Sequence, residues 1–288
     1  MIVSHSQLDK FRVCHWVYYV KYVLGLEPDR EDDLARRLGS FAHDVYQAVG
    51  SGAAPDVHAA ALALIDASPW IGEEHEFVSI LAVLEARQQL GLIRPEIKDI
   101  EKQFMLRLAP EIMVTGYTDG TLPTGDLIEF KTTGQDLGQY FRFALKSLQL
   151  PIYALATGRL TITLDVTRRP ALRPKSECKT RKAGEPMAEF GDRVKAVVMA
   201  EPDKYFQSRR VQLLACDIER ARAEVIQTAN EIWRCNEAGV WPRSASWATC
   251  PRCAYEGLCE VNYSGGEFAP PGYKLEEREG RHGISKNQ

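Results

Sequence analysis

The stretch from Gly116 to Lys131 constrains this chain most. Gly116-Tyr117-Thr118-Asp119-Gly120 is followed by a turn through Pro123 to Gly125 and then by Asp126-Leu127-Ile128-Glu129-Phe130-Lys131. It reads as two strands joined by a hairpin, the first over Glu111 to Asp119 and ending in a carboxylate. Side chains alternate along a strand, so Glu129 and Lys131 share one face while Ile128 and Phe130 point to the other. A carboxylate and an amine are thereby fixed side by side, and Asp119 can join them from the neighbouring strand. Such a set suits a hard divalent cation, which binds through one or two carboxylates and keeps waters, and it suits phosphoryl chemistry. The plain reading competes with it: strand ends often carry Asp, Glu and Lys as solvated residues, and a short motif is easily met by chance.

The 288 residues are ample for a buried core in one large domain or two modest ones. A formal net charge of -3 advertises no global basic field, which counts against a DNA-coating protein but not against an enzyme with a local basic groove. There is no long apolar run and no signal-peptide pattern at the N-terminus, so a cytoplasmic protein without a membrane partner is expected. Seven cysteines in such a chain read as metal ligands, catalytic groups or buried residues before disulfides. No glycine-rich phosphate loop ends in Lys-Ser/Thr, and an ATP motor is not expected.

Around the hairpin the chain alternates helices and strands. The spacing of Leu8, Phe11, Trp16, Val20 and Val23 predicts one helix over Ser4 to Leu26, with Cys14 in its middle. A second helix over Glu31 to Val49 carries His43, and helices over Val57 to Asp66 and Glu74 to Leu90 read as packing elements, separated by Pro69-Trp70. A strand is expected over Glu101 to Leu108. A helix follows over Gly138 to Thr157, which Pro151 kinks or divides, and Gln149 and Tyr153 share a face of it. Leu160 to Val166 alternates as a further strand, and helices are expected over Phe190 to Tyr205 and Asp217 to Ala238. Between that strand and the first of these helices lies a basic segment with Arg168, Arg169, Arg173, Lys175, Lys179, Arg181 and Lys182 against the single acid Glu177, either a solvated loop or an arm that contacts phosphates.

Near the C-terminus, Cys250, Cys253 and Cys259 form a compact knuckle with Pro251 and Gly257 between them. Three thiolates leave one ligand to find, and Cys14 is the candidate because the knuckle has no nearby His. Spacing leaves zinc and an iron–sulfur cluster both open. Cys178, Cys216 and Cys235 stand alone and read as structural or incidental. The tail after Gly265, with Pro270-Pro271 and then charged residues, is expected to lack fixed structure.

In this order the features resemble the RecB-like branch of the PD-(D/E)XK nuclease superfamily: His43, then Gly116 to Asp119, then Glu129 to Thr132, then Gln149 to Tyr153. One cysteine near the N-terminus and three near the C-terminus resemble the iron–sulfur members, the AddB-type nuclease domains and the exonucleases of CRISPR adaptation. The stretch from Asp165 to Phe206 looks most like stand-alone phage and prophage versions. Two departures stand out: the second acid is Glu129 where Asp is frequent, and His15 follows Cys14 where Pro is usual. The resemblance implies an α/β (α+β) fold, a restriction-endonuclease-like core with a central mixed sheet flanked by helices. Helical additions and a cysteine cluster clipping the termini together complete it.

It also implies one nuclease domain over 1–263: a helical part over 1–99, a core over 100–166 with the helix 33–49, a basic arm over 167–186, and helices with the cysteine cluster over 187–263. Residues 264–288 would be a flexible tail. His43, Asp119, Glu129 and the carbonyl of Phe130 would bind magnesium or manganese. Lys131 would position the attacking water, and Gln149 and Tyr153 would orient the site. Cys14, Cys250, Cys253 and Cys259 would hold a 4Fe–4S cluster, with zinc as the alternative. The activity implied is hydrolysis of DNA from an end, alongside recombination, repair or replication proteins. Two other readings are a DNA-binding adaptor on a degenerate nuclease fold and a zinc-stabilised interaction protein.

Overall fold

The computed structural model describes residues 1–28, 34–67, 74–93, 96–176, 183–266 and 268–275. The chain opens with a strand β1 (Ile2–Ser4) and a helix α1 (His5–Val13). Ser4 starts the helix through a capping box: its hydroxyl accepts the Gln7 N–H while Gln7 Oε1 accepts the Ser4 N–H at 2.8 Å. The single helix expected from Ser4 to Leu26 is broken at Cys14, whose backbone is extended (φ -162, ψ 118), and resumes as α2 (His15–Tyr18) and a π turn over Tyr19–Val23. The cause lies far along the chain: the Trp16 N–H donates to the carbonyl of Pro242 at 3.1 Å, and Trp241 packs between Phe11, Tyr18 and Tyr19. A short strand β2 (Leu26–Pro28) follows.

Helix α3 (Leu34–Gly50) buries Leu38, Phe41, Ala42, Val45 and Tyr46. Helices α4 (Val57–Ala67) and α5 (Glu74–Gln89) pack beside it. The start of the expected helix over 31–33 and Pro69-Trp70 lie outside the described residues. Strands β3 (Lys102–Ala109) and β4 (Ile112–Thr118) form an antiparallel hairpin, and β1 joins β4 in parallel, Ile2 opposite Met113. The chain then turns at Asp119 into β5 (Gly120–Thr121) and returns as β6 (Leu127–Thr133).

The expected hairpin between Glu111–Asp119 and Asp126–Lys131 is thus confined to Gly120 and Thr121 opposite Ile128 and Leu127. Beyond that point Asp119 Oδ2 takes the Phe130 N–H at 2.7 Å, so a side chain occupies the donor that a neighbouring strand would have paired. The strands separate there, and β4 belongs to one sheet (order β1-β4-β3) while β6 belongs to another.

After β6, the expected helix over Gly138–Thr157 is two: α6 (Leu137–Ala144), capped by Asp136, and α7 (Gln149–Thr157). Pro151 sits in the first turn of α7, where no intrahelical N–H is needed. Strand β7 (Thr161–Arg168) lies parallel to β6. Helix α8 (Met187–Ala200) stops before Pro202, short of the expected Tyr205. A strand not foreseen, β8 (Phe206–Gln212), completes the order β5-β6-β7-β8; its exposed Ser-Arg-Arg centre hides the alternation that marks a half-buried strand. Helix α9 (Ala215–Ala238) closes the core, with Ala221, Val225, Ala229 and Ile232 against α1, β3, β4 and α7.

A 3-10 turn over Cys250–Arg252 and a short helix α10 (Glu256–Glu260) carry the cysteine knuckle. The segment expected to lack structure contains β9 (Tyr273–Leu275), paired antiparallel with β2; residues 276–288 lie outside the described ones. Among the described residues no helix is long and apolar enough to cross a membrane.

Candidate active site

Strand β6 divides its side chains between two environments. Ile128 and Phe130 enter the apolar cluster under α3, with the Phe130 ring stacked 5.1 Å from Tyr46. Glu129 and Lys131 face the other way, toward α7, and are ion-paired to each other. Glu129 is fully buried. Gln149, the first residue of α7, donates to Glu129 Oε1 at 2.7 Å, and its Nε2 also lies 2.9 Å from the Tyr153 hydroxyl. Glu129 Oε2 has no hydrogen-bond partner, although an unsatisfied buried carboxylate oxygen is costly.

Asp119 reaches the same place from the turn between β4 and β5. Its Oδ2 is held by the Phe130 N–H, leaving Oδ1 at 3.3 Å from His43 Nε2 on α3. Glu101, just ahead of β3, brings Oε1 to 3.4 Å from the same nitrogen. Gln47, one turn after His43, donates to Glu101 Oε1 at 2.8 Å and lies 3.3 Å from His43 Nδ1. The ligand atoms of His43, Glu101 and Asp119 all lie within 4.8 Å of one another, the one such trio among the described residues. Sequence reading missed Glu101: no motif places it, and the left-handed backbone that turns it inward (φ 48) leaves no mark in the residue types.

The charges strain against their burial. Burial first, then the Asp119 charge, push the Glu129 carboxyl up to about 7, against the pull of Lys131. Burial disfavours the Lys131 ammonium, but Glu129 and Asp119 outweigh it and hold its pKa up at about 12. For His43, burial is likewise outweighed by Asp119, Glu101 and Glu129, and its pKa is raised. An excess of carboxylate in a buried place, with an orphaned oxygen, is what a divalent cation relieves.

The cysteines expected to act together also meet. Cys14, at the break between α1 and α2, and Cys250, Cys253 and Cys259 line one cavity of about 440 Å³ with Trp16, Tyr255 and Arg243. Burial raises the thiol pKa of Cys253 and Cys259. Cys216 is exposed and Cys235 packs beside α9's apolar face, while Cys178 lies outside the described residues.

The basic segment departs from a free arm. Arg169 and Arg173 pair with Glu76 at the start of α5, Arg169 at 3.4 Å, and the Lys175 N–H donates to Glu185 at 2.8 Å. Arg168 lies 3.9 Å from Asp136, and its Nε is buried without a partner. Glu76, more than ninety residues away in sequence, thus engages two of these arginines. Lys179, Arg181 and Lys182 lie outside the described residues.

A model of the PD-(D/E)XK nuclease superfamily matches residues 2–260, and mixed sheets flanked by helices fit that family's fold. No curated protein matches the chain. Among solved structures it is similar to a phage-related exonuclease from Haemophilus somnus 129PT at 14% identity, covering 69% of this chain and 94% of that one with a TM-score of 0.36. It is also similar to SSO0001, at 13% identity, 90% and 85% coverage and a TM-score of 0.38. Likeness this loose carries no further argument.

Proposed function

Because the chain belongs to the PD-(D/E)XK nuclease superfamily, we propose that it is a magnesium- or manganese-dependent deoxyribonuclease that hydrolyses DNA from an end. The observation that carries this reading is the orphaned Glu129 Oε2 beside Asp119, His43 and Lys131. Asp119, Glu129, His43 and the Phe130 carbonyl are the ligand set. A divalent cation there supplies an activated water and stabilises charge on the phosphate. Lys131, charged and next to Glu129, holds the attacking water and donates to the phosphate oxygens as negative charge develops. Gln149 and Tyr153 fix Glu129 from behind and orient the site. Arg168 and Lys175, with Lys179, Arg181 and Lys182, contact the DNA backbone; Arg169 and Arg173 are already engaged by Glu76.

The four cysteines fit an iron–sulfur cluster better than zinc. The support is their three-plus-one arrangement, Cys14 with the knuckle of Cys250, Cys253 and Cys259 around one cavity, which is the one the iron–sulfur members share. On this reading the chain is one of the iron–sulfur members of the superfamily.

The test is digestion of matched linear and closed circular DNA by anaerobically purified protein, with magnesium or manganese and no ATP. Linear DNA is degraded, closed circles are spared, and a chelator stops the reaction. Lys131→Ala abolishes cleavage and keeps the fold. A Lys131→Ala variant as fast as the parent protein would sink the assignment.

A further inference from the structure

Solvent reaches the Glu129–Lys131 pair from the lysine's side: the Lys131 side chain is 32% exposed and the Glu129 side chain 1%. Helix α6 borders that opening. Glu129 and Lys131 stand opposite Leu164 and Val166 of β7, so the four share one face of the sheet. Leu137 and Phe141 of α6 pack on Leu164 and Val166. On the β8 side of Phe141, the Arg209 guanidinium covers its ring at 4.0 Å. Tyr140 takes the other side, toward β6: burial raises its hydroxyl pKa, and Lys131 and Glu129 are the charges that bear on it.

Phe143 lies three residues further on, on the same face of the helix as Tyr140, and 62% of it is exposed. A single exposed phenylalanine needs no explanation. This one extends a ring that borders Lys131, and it stands among cations. Arg142 beside it is exposed, and Lys146, in the turn after α6, brings its ammonium to 6.0 Å from the centre of the Phe143 ring. From Leu137 to Leu148 the chain holds no acid. The turn is held in place: Ser147 Oγ lies 3.0 Å from His5 Nε2 of α1 and accepts the Gln149 N–H at 3.2 Å, ahead of the amide that holds Glu129. Aromatic faces set among cations suit a nucleic-acid strand whose bases are open. Residues three apart on a helix set their Cβ atoms about 5–6 Å apart, against a rise of about 3.4 Å per nucleotide in the duplex. Two rings so placed match bases drawn out of their own stack.

We propose that α6 carries a base-stacking subsite: Tyr140 and Phe143 each take a base of the single DNA strand whose phosphate lies at Lys131, and Arg142 and Lys146 face the phosphates next to it. The proposal rests on the nuclease reading, because it places the bound strand by Lys131. Every base has a face that stacks on a ring, so the subsite selects an unpaired end and not a sequence. Duplex DNA has to fray before it engages.

Fluorescence anisotropy tests it, with the full chain purified anaerobically and kept in chelator so that nothing is cut. The probes are oligothymidine and an abasic oligomer of equal length, which carry the same phosphates and differ only in their bases. The parent protein binds oligothymidine about 10-fold tighter than the abasic oligomer. Phe143→Ala and Tyr140→Leu each bring the two affinities several-fold closer together, Phe143→Trp keeps the preference, and Phe143→Ala melts at the parent's temperature. A parent protein that binds both oligomers equally, or a Phe143→Ala variant that keeps the full preference, overturns the subsite; where that protein still digests linear DNA with magnesium, the nuclease reading stands. A parent protein that neither binds oligothymidine nor digests DNA overturns both.

Discussion

Glu129 is held from α7 by a single amide, since Gln149 donates to its Oε1 at 2.7 Å and reaches the Tyr153 hydroxyl with the same nitrogen. Removing that amide leaves Oε1 of a fully buried carboxylate to Lys131 and frees Glu129 from α7. On the proposed reading Gln149 acts through Glu129. We expect Gln149→Ala to lower the single-turnover rate constant by about 10- to 100-fold, the usual cost of losing a group that orients a metal ligand, with little change in DNA affinity. Loss of affinity at an unchanged rate constant would instead place Gln149 on the DNA backbone. The pairing of Gln149 with Tyr153 on one helical face was legible from their spacing. That the amide would meet Glu129 was not, because the approach of α7 to β6 is set by Leu150, Tyr153 and Ala154 packing on Leu127 and Ile162.

At the scale of elements, α3, α5, β7 and β8 are fixed to one another through Arg87. Its Nη2 donates to both oxygens of Asp165 at 2.6 Å, its Nη1 donates to Thr167 Oγ1 at 2.5 Å, and its guanidinium lies over the rings of Tyr46 and Phe206 at 5.1 and 5.5 Å. Both members of the ion pair are almost wholly buried, Arg87 3% and Asp165 1% exposed. Tyr46 stands one turn from His43 on α3 and is within 2.7 Å of Thr167 Oγ1, so the pair also sets how α3 lies over the sheet. Breaking a buried pair leaves an uncompensated charge and costs about 3–5 kcal/mol, whereas replacing both partners by apolar residues costs far less. Urea unfolding should show Arg87→Met destabilised by about that amount, and Arg87→Met with Asp165→Leu should recover much of the loss. Equal destabilisation of the single and double variants would mean that packing, not the stranded charge, is responsible. In the sequence, the helix over Glu74 to Leu90 read only as a packing element, since periodicity cannot show that α8 covers it with Phe190, Val194 and Val198.

At the scale of the molecule, the two ends of the chain meet around the cysteines. Trp16, Val17, Val20 and Leu26 share an apolar cluster with Tyr255 and Leu258, the Tyr255 hydroxyl donates to the Leu26 carbonyl at 3.1 Å, and β2 pairs with β9. A metal cluster held by Cys14 and the knuckle would close almost the whole chain into a loop, and closing so long a loop restricts the unfolded state most. Cys14→Ser and Cys253→Ser should therefore each lose bound iron, by elemental analysis and visible absorption under anaerobic conditions. Each should also lose about 3 kcal/mol of stability, or roughly 10 °C of melting temperature. Stoichiometric zinc without iron would refute the iron–sulfur assignment. A Cys14→Ser variant with full iron and full stability would make Cys14 a buried apolar residue.

The sequence by itself determined the local elements and what each could carry. Alternation put Glu129 and Lys131 on one face of β6 and Ile128 and Phe130 on the other, helical spacing gave α3 its buried face, and the knuckle marked itself by cysteine spacing. These are short-range properties, governed by residue type and a period of two or 3.6. Tertiary structure decided what needs a partner distant in the chain: the break at Cys14, tied by Pro242; the parting of β4 from β6, where Asp119 takes a backbone donor; the capture of Arg169 and Arg173 by Glu76; and the arrival of Glu101 beside His43. Each of these turns on one hydrogen bond or one ion pair between segments whose separation in sequence carries no signal, and whose meeting depends on the packing of everything between them.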